Sequence, residues 1–408
     1  MKHIINVLVV ITLFFATLDG LRDTFLRDNP ISYLKEVSSF VLFLLLALNT
    51  YRNGTKINSS FYIICNIFVL LLVCLSFVTT KYASAYLTRG TLSFGGWSVW
   101  IKILSFYFLM NALFLLRINY SDIYYRIPKI YIYLTLLYCF ITIFFIVTGL
   151  SSHLVQRNWS GRLSIGYPTM DSLILIVAII FSIYFMDNKV AKTLSITILS
   201  LVLIMQNTAS GYMMLFILMT CSVFFLKRIY KILSLLLISS VFVLGFYIYN
   251  YWYVNMGDYG ILLVDKINGF ILGSDTSSIE IRQQQIQILM NDMNSYLLYS
   301  ILGKGGGEAY LVENTYYALY GFMGILGVLL FALLFVFIFL RIPKSFSQGT
   351  YYSHSIIITV VYLISCAGLI GFYLYPMIFI LAYLVSTYSF KEPSHEFLLK
   401  AYNDENLL

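Results

Sequence analysis

Charge is scarce in this chain. Of 408 residues only 11% are Asp, Glu, Lys or Arg, against the roughly 25% usual in soluble domains, while 60% are hydrophobic and the mean hydropathy is +0.85. So few charges cannot cover a water-facing surface, and most soluble architectures are excluded. There is no Asp-x-Asp, no His-x-x-x-His and no Gly-x-Ser-x-Gly, so a metal-bound nucleotide-sugar transferase, a zincin and a serine hydrolase all lose support. Cysteine is sparse as well. Cys65, Cys74, Cys139, Cys221 and Cys366 all fall in apolar stretches, where they pack as small apolar side chains rather than forming a disulfide framework or a zinc site. The net charge of +8 comes from basic residues scattered in short clusters. They form no run or aromatic-interleaved patch of the kind nucleic acid requires. No internal repeat and no low-complexity segment is present.

What the chain has instead is long apolar blocks. A helix needs about 20 apolar residues to cross a bilayer, and windows of that kind predict spans near 4–18, 35–49, 61–79, 99–116, 130–150, 170–186, 190–207, 211–226, 232–251, 315–340, 354–370 and 372–389. The expected fold is an all-α polytopic membrane protein of about 12 transmembrane helices, one integral membrane domain over 1–408. The first, second and seventh blocks are short or interrupted, which leaves the number of crossings there open. Every second connection carries basic residues: Lys2; Arg52 and Lys56; Arg117, Arg126 and Lys129; Lys189 and Lys192; Lys227, Arg228 and Lys231; Arg341 and Lys344; Lys391 and Lys400. The positive-inside rule places these connections, and with them both termini, in the cytoplasm. The first block starts basic but offers no small-residue cleavage site, so it reads as a retained helix.

The opposite connections include two loops that can carry chemistry, one at 151–169 and a large one at 252–314 between predicted helices 9 and 10. The first places Arg157 and Arg162 among Gly, Ser and Pro, on the face where positive charge is disfavoured. Either they are rim charges touching lipid phosphates, or they form a diphosphate site, since guanidinium presents a planar fork that matches phosphate oxygens. In the second loop, Ser277 and Glu280 have the spacing of a capping box, and a helix is expected to start there. Projected as a helix, Ile279, Ile286, Leu289, Met290, Met293 and Leu297 gather on one side and Gln284, Gln287, Asn291 and Ser295 on the other, with Ile281 and Ile288 breaking the pattern. Arg282 falls on the apolar side. It is either turned toward the transmembrane bundle from an amphipathic surface helix or snorkels to the headgroups.

Further along, Gly303, Gly305, Gly306 and Gly307 surround Lys304. This is similar to a phosphate loop, but no strand precedes it and the Gly-Lys-Ser/Thr ending is missing, so nucleotide binding is rejected. A flexible backbone still lets an anionic or sugar ligand approach closely. Glu313 stands beside Asn314 at the start of a long apolar helix. An acid there is available for chemistry at the membrane boundary, or it simply caps the helix. Tyrosine is abundant, with 35 copies; Tyr167, Tyr310, Tyr316 and others in or beside the outer loops suit sugar stacking, although interfacial belts use the same residue. Ionisable residues are almost lacking inside the spans. That disfavours ion-coupled transport and points to chemistry at the outer surface.

Taken together, the pattern resembles the bacterial O-antigen and capsular polysaccharide polymerases of the Wzy type, with the related O-antigen ligases. The architecture is similar over the whole chain. Residues 302–331, LGKGGGEAYLVENTYYALYGFMGILGVLLF, resemble the family's glycine-rich turn, polar pair and following helix with a Gly-x-x-Gly entry at Gly321 and Gly324. Arg162, Gly166 and Pro168 resemble its Arg-Gly-Pro segment, followed by a hairpin turn with Asn207, Ser210 and Gly211. Ligases commonly place a histidine where this chain has Glu313, and the Asn often following the proline is here Thr169; both departures favour a polymerase. The resemblance implies a glycosyltransferase, independent of metal or cofactor, on the outer face of the bacterial cytoplasmic membrane. It would polymerise undecaprenyl-diphosphate-linked oligosaccharide repeat units into surface or capsular polysaccharide. Glu313 becomes the candidate base and Arg157, Arg162 and Arg282 the diphosphate ligands, with Lys304, Asn314 and Tyr310 as further substrate contacts. A chain-length regulator and a flippase of the same pathway are the implied partners, beside membrane lipids. The alternatives are a lipid-linked oligosaccharide flippase or exporter, a ligase-type glycan transferase, and an external acyltransferase; the last would want a catalytic histidine, and of the four, His3, His354 and His395 fall on the expected cytoplasmic side while His153 lies in the first outer loop.

Overall fold

The computed structural model describes residues 1–25, 33–55, 57, 59–86, 94–148, 167–206, 208–225, 276–305, 312–346 and 353–389. These contain thirteen helices and no strand: α1 (Lys2–Phe25), α2 (Leu34–Arg52), α3 (Ser60–Tyr86), α4 (Phe94–Asn119), α5 (Ser121–Val147), α6 (Pro168–Phe185), α7 (Lys189–Met205), α8 (Ala209–Phe225), α9 (Thr276–Met293), α10 (Leu297–Leu302), α11 (Thr315–Phe346), α12 (Ser353–Ser365) and α13 (Tyr375–Tyr388). Seven of them, α1 to α6 and α11, are long and apolar enough to cross a membrane. The chain is therefore a helical membrane protein in its described part. Helices occupy eleven of the twelve predicted blocks; the remaining one, 232–251, lies outside the described residues.

Side-chain contacts sort the polar residues between two ends of the bundle. At one end Arg117 donates to the Ser386 and Thr387 carbonyls at 3.4 and 2.9 Å, and Arg341 donates to the Tyr388 carbonyl at 3.3 Å. Two cations thus cap the C-terminus of α13, where its dipole favours positive charge. Lys2 pairs with Asp122 at 2.9 Å and Lys129 with Asp187 at 3.6 Å at this same end. The basic clusters of the described helices collect here.

The other end holds groups that hydropathy alone conceals. Asp19 on α1 and Lys35 on α2 form an ion pair at 2.9 Å with side chains only 3% and 4% exposed. Asp171, also buried, accepts a hydrogen bond from Tyr138 at 2.8 Å, and Gln206 donates to the same tyrosine oxygen at 3.2 Å. The spans are therefore less free of ionisable groups than expected. Each of these groups finds its partner on the neighbouring helix, 16 and 33 residues away, so a window reading cannot pair them.

Tyrosine serves the interior here. Tyr124, Tyr131, Tyr138, Tyr362, Tyr375 and Tyr388 are among the largest fully buried side chains. Buried tyrosine combines apolar area with a hydroxyl that usually finds a partner: Tyr124 meets Ser386 at 2.7 Å, Tyr375 meets Ser39 at 2.7 Å, and Tyr388 meets Thr359 at 3.4 Å, whereas the Tyr131 and Tyr362 hydroxyls have none among the described residues. The last two predicted blocks give shorter helices than expected, because helical pairing stops at Ser365 and resumes at Tyr375. Thr315 satisfies the freed backbone. Its N–H donates to the Cys366 carbonyl (2.8 Å), its hydroxyl donates to the Leu369 carbonyl (2.6 Å), and the Gly371 N–H donates to that hydroxyl (2.7 Å). Buried irregular backbone is tolerated where protein supplies such partners.

Candidate functional site

Helix α9 starts at Thr276, beside the predicted capping pair. Its apolar face is the one expected: Leu289 and Met293 are buried against Val312, with Ile286, Tyr299, Tyr317 and Tyr320 around them, while Gln284, Gln287 and Asn291 are exposed. Leu297 departs from the projection and is exposed, because the chain leaves the helix after Met293 and starts α10 at Leu297. Arg282 lies two turns before Leu289, so the same face directs it toward the bundle.

The α9–α10 hairpin is fastened to α11 through backbone. At Gly324, φ is +62° and α11 breaks. A break leaves carbonyls of the preceding turn without their usual donors. Here the Lys304 N–H donates to the Gly321 carbonyl at 2.9 Å and the Gly305 N–H to the Phe322 carbonyl at 3.1 Å. The approach is close from both sides: a Cβ on Gly303 would overlap the backbone of Phe322, and one on Gly324 would overlap the backbone of Ile301. Both glycines have positive φ, so their side-chain-free, left-handed backbone is what admits the crossing.

This crossing holds Arg282 and Glu313 together. Arg282 Nη2 donates to Glu313 Oε2 at 3.0 Å, and the Tyr167 hydroxyl donates to Glu313 Oε1 at 2.6 Å. Three segments far apart in sequence meet on one carboxylate: the residue before α6, helix α9 and the residue before the cap of α11. The Arg282 and Glu313 side chains are 34% and 44% exposed, so the pair is open to solvent and to ligands. Arg282 Nε and Gln285 Oε1, one turn apart on α9, are buried and engage no hydrogen-bond partner among the described residues.

Capping of α11 falls to Asn314, not to Glu313. Asn314 Oδ1 accepts from the Tyr316 and Tyr317 N–H groups at 3.0 and 3.3 Å, in the usual manner of an N-cap. Its amide donates to the Ala367 carbonyl at 3.2 Å. The Glu313 carboxylate is thereby left for Arg282 and Tyr167. Lys304 pairs with Asp292 at 3.0 Å and stands 5.0 Å from the centre of the Tyr299 ring, on the hairpin and not on Glu313. Arg157, Arg162 and Tyr310 lie outside the described residues. Among the described residues no group of three or more His, Cys, Asp or Glu side chains assembles.

Sequence reasoning named Tyr167 only among the tyrosines suited to sugar stacking or an interfacial belt, and did not connect it with Glu313. The available signal was its position before Pro168, which opens α6 at the end of the bundle where Glu313 also lies. A scan against protein-family models gives no match, and a search of curated proteins finds no similar one.

Proposed function

We propose that the protein is a membrane glycosyltransferase that polymerises undecaprenyl-diphosphate-linked oligosaccharide repeat units on the outer face of the bacterial cytoplasmic membrane. The observation that carries this reading is the Glu313 carboxylate, held by Arg282 and Tyr167 and open to solvent. It stands at the end of the bundle opposite the basic clusters, the arrangement the positive-inside rule associates with the external face. A hydroxyl of the acceptor sugar gives its proton to Glu313 while its oxygen attacks the anomeric carbon of the donor. The bond from that carbon to the diphosphate breaks with inversion, and the lipid diphosphate leaves with its charge met by Arg282. The resemblance further implies that Arg157 and Arg162 bind the diphosphate and that Tyr310 and Asn314 contact the sugar; Arg157, Arg162 and Tyr310 lie outside the described residues.

An exporter of lipid-linked oligosaccharide is the second reading, favoured by the buried Asp171 and the Asp19–Lys35 pair, since intramembrane charges often mark transport paths. The glycan profile of a deletion strain separates the readings. Single repeat units on lipid, exposed outside the cytoplasmic membrane, are the polymerase result. Units trapped inside indicate an exporter, and long polymer left on lipid indicates a ligase. Glu313→Gln should abolish chain extension at unchanged protein level; polymer of normal length from that variant would remove Glu313 as the base.

A further inference from the structure

We infer that Arg282 is exchanged during turnover: it holds Glu313 until an incoming diphosphate takes it over and frees the carboxylate. This rests on the glycosyl-transfer reading for its role in the reaction, although the exchange itself is a binding property. Glu313 uses both carboxylate oxygens on protein partners, Oε2 on Arg282 and Oε1 on Tyr167. In that state it is poorly placed to accept a proton from a sugar hydroxyl. Arg282, in contrast, is only partly used. One terminal nitrogen meets Glu313, and its Nε is buried with no hydrogen-bond partner among the described residues. A buried guanidinium N–H without an acceptor is costly unless a ligand supplies one. A diphosphate presents several acceptor oxygens in the planar arrangement a guanidinium matches, and more negative charge than one carboxylate. Gln285 Oε1, similarly unengaged and buried, can accept from a hydroxyl of the sugar attached to that diphosphate. Arrival of the donor substrate thus releases the base that its reaction needs, and the carboxylate stays tethered by Tyr167 beside the site.

Competition for one arginine has a particular signature: removing Glu313 tightens anion binding. An ion pair this exposed is worth up to about 1 kcal/mol, so Glu313→Gln should bind inorganic pyrophosphate about threefold to fivefold more tightly than the unaltered protein. The measurement is a calorimetric titration of the full chain in phosphatidylcholine nanodiscs. Glu313→Ala should show the same gain, and Arg282→Gln placed in either background should remove it. Equal or weaker affinity in both Glu313 variants, or no pyrophosphate binding by them, overturns the exchange. Repeating the titration in nanodiscs containing phosphatidylglycerol separates the two sources of phosphate. A gain that persists assigns the site to the diphosphate, whereas its disappearance means that lipid headgroups occupy Arg282 and overturns the assignment. The binding and base readings fail separately: tighter binding with normal chain extension keeps the exchange and removes the base, and lost extension at unchanged affinity does the reverse.

Discussion

Replacing Gly303 with alanine tests whether the backbone crossing organises the site. The residue has φ of +79° and ψ of 175°, a region essentially confined to glycine, where an L side chain costs about 1–3 kcal/mol. The new Cβ would also meet the carbonyl carbon and oxygen of Phe322 and the N–H of Met323. Those atoms are backbone and cannot rotate aside, so relief of the overlap requires moving α10 away from α11, at about 1–3 kcal/mol by analogy with overpacked cores. Gly54 supplies the control. Its φ is +62°, yet no atom lies within 4 Å of its would-be Cβ, so Gly54→Ala incurs the first cost only. Hydrogen–deuterium exchange read by mass spectrometry on the detergent-solubilised protein reports local opening. In Gly303→Ala, peptides covering 297–305 and 315–326 should lose protection by about thirtyfold or more, corresponding to ~2 kcal/mol or more. In Gly54→Ala the peptide around α2's end should lose about fivefold, for ~1 kcal/mol, with 297–326 unchanged. Chain extension should fall only in the first variant, because the hairpin that moves carries Arg282. Protection of 297–326 that is no lower in Gly303→Ala than in Gly54→Ala would refute the crossing.

The remaining expectations concern single side chains. Arg282→Lys should reduce chain extension nearly as far as Arg282→Ala, since a point charge cannot replace a planar fork; full activity with lysine would refute the need for the fork. Tyr167→Phe removes one hydrogen bond to a carboxylate, worth about 1.5–3 kcal/mol, and should slow extension about tenfold or more with protein level unchanged, as measured with lipid-linked repeat units in membranes. Lys35→Met leaves the Asp19 carboxylate buried without its cation, at about 3–5 kcal/mol. It should lower accumulation in the membrane and the unfolding temperature, and adding Asp19→Leu should recover most of the loss.

How far the sequence anticipated this structure depended on the range of the interaction. Helix α9 was legible because its signal is local: a capping pair at Ser277 and Glu280 and a face shared by Ile286, Leu289 and Met293. The inward direction of Arg282 follows from the same face. Glu313 was visible from its position at the start of an apolar block. The pairing of Tyr167 with Glu313 was not, because the two lie 146 residues apart and neither has a local pattern naming the other. Gly303 and Gly324 were conspicuous as residues, but the reason for them is the approach of two backbones, which no window contains. Likewise nothing local to Asp19 and Lys35, at the edges of two apolar blocks, announces the ion pair that the helices bring together. The break between the last two blocks was expected at 371 but is wider, because residues 366–370 and 372–374 are apolar enough to satisfy a hydropathy window, whereas Thr315 on α11 decides that their backbone can be irregular.

The broken helix α11 is in effect two rods meeting at Gly324. Its short first rod carries Thr315 to Met323, with Glu313 just ahead of it, and accepts both backbone hydrogen bonds from Lys304 and Gly305 on that same side of the break. The hairpin bearing Arg282 and the segment bearing Glu313 are thus one jaw, and bending at Gly324 carries them together. Tyr167 sits on the other jaw, at the head of α6. Such a motion would strain the 2.6 Å hydrogen bond from Tyr167 to Glu313, together with the bonds that tie Asn314 and Thr315 to the α12–α13 connection, with the arginine pair riding along intact. The tyrosine hydroxyl is therefore the natural position for a spectroscopic probe of jaw opening, and a probe on Arg282 would see ligand exchange with little contribution from the hinge.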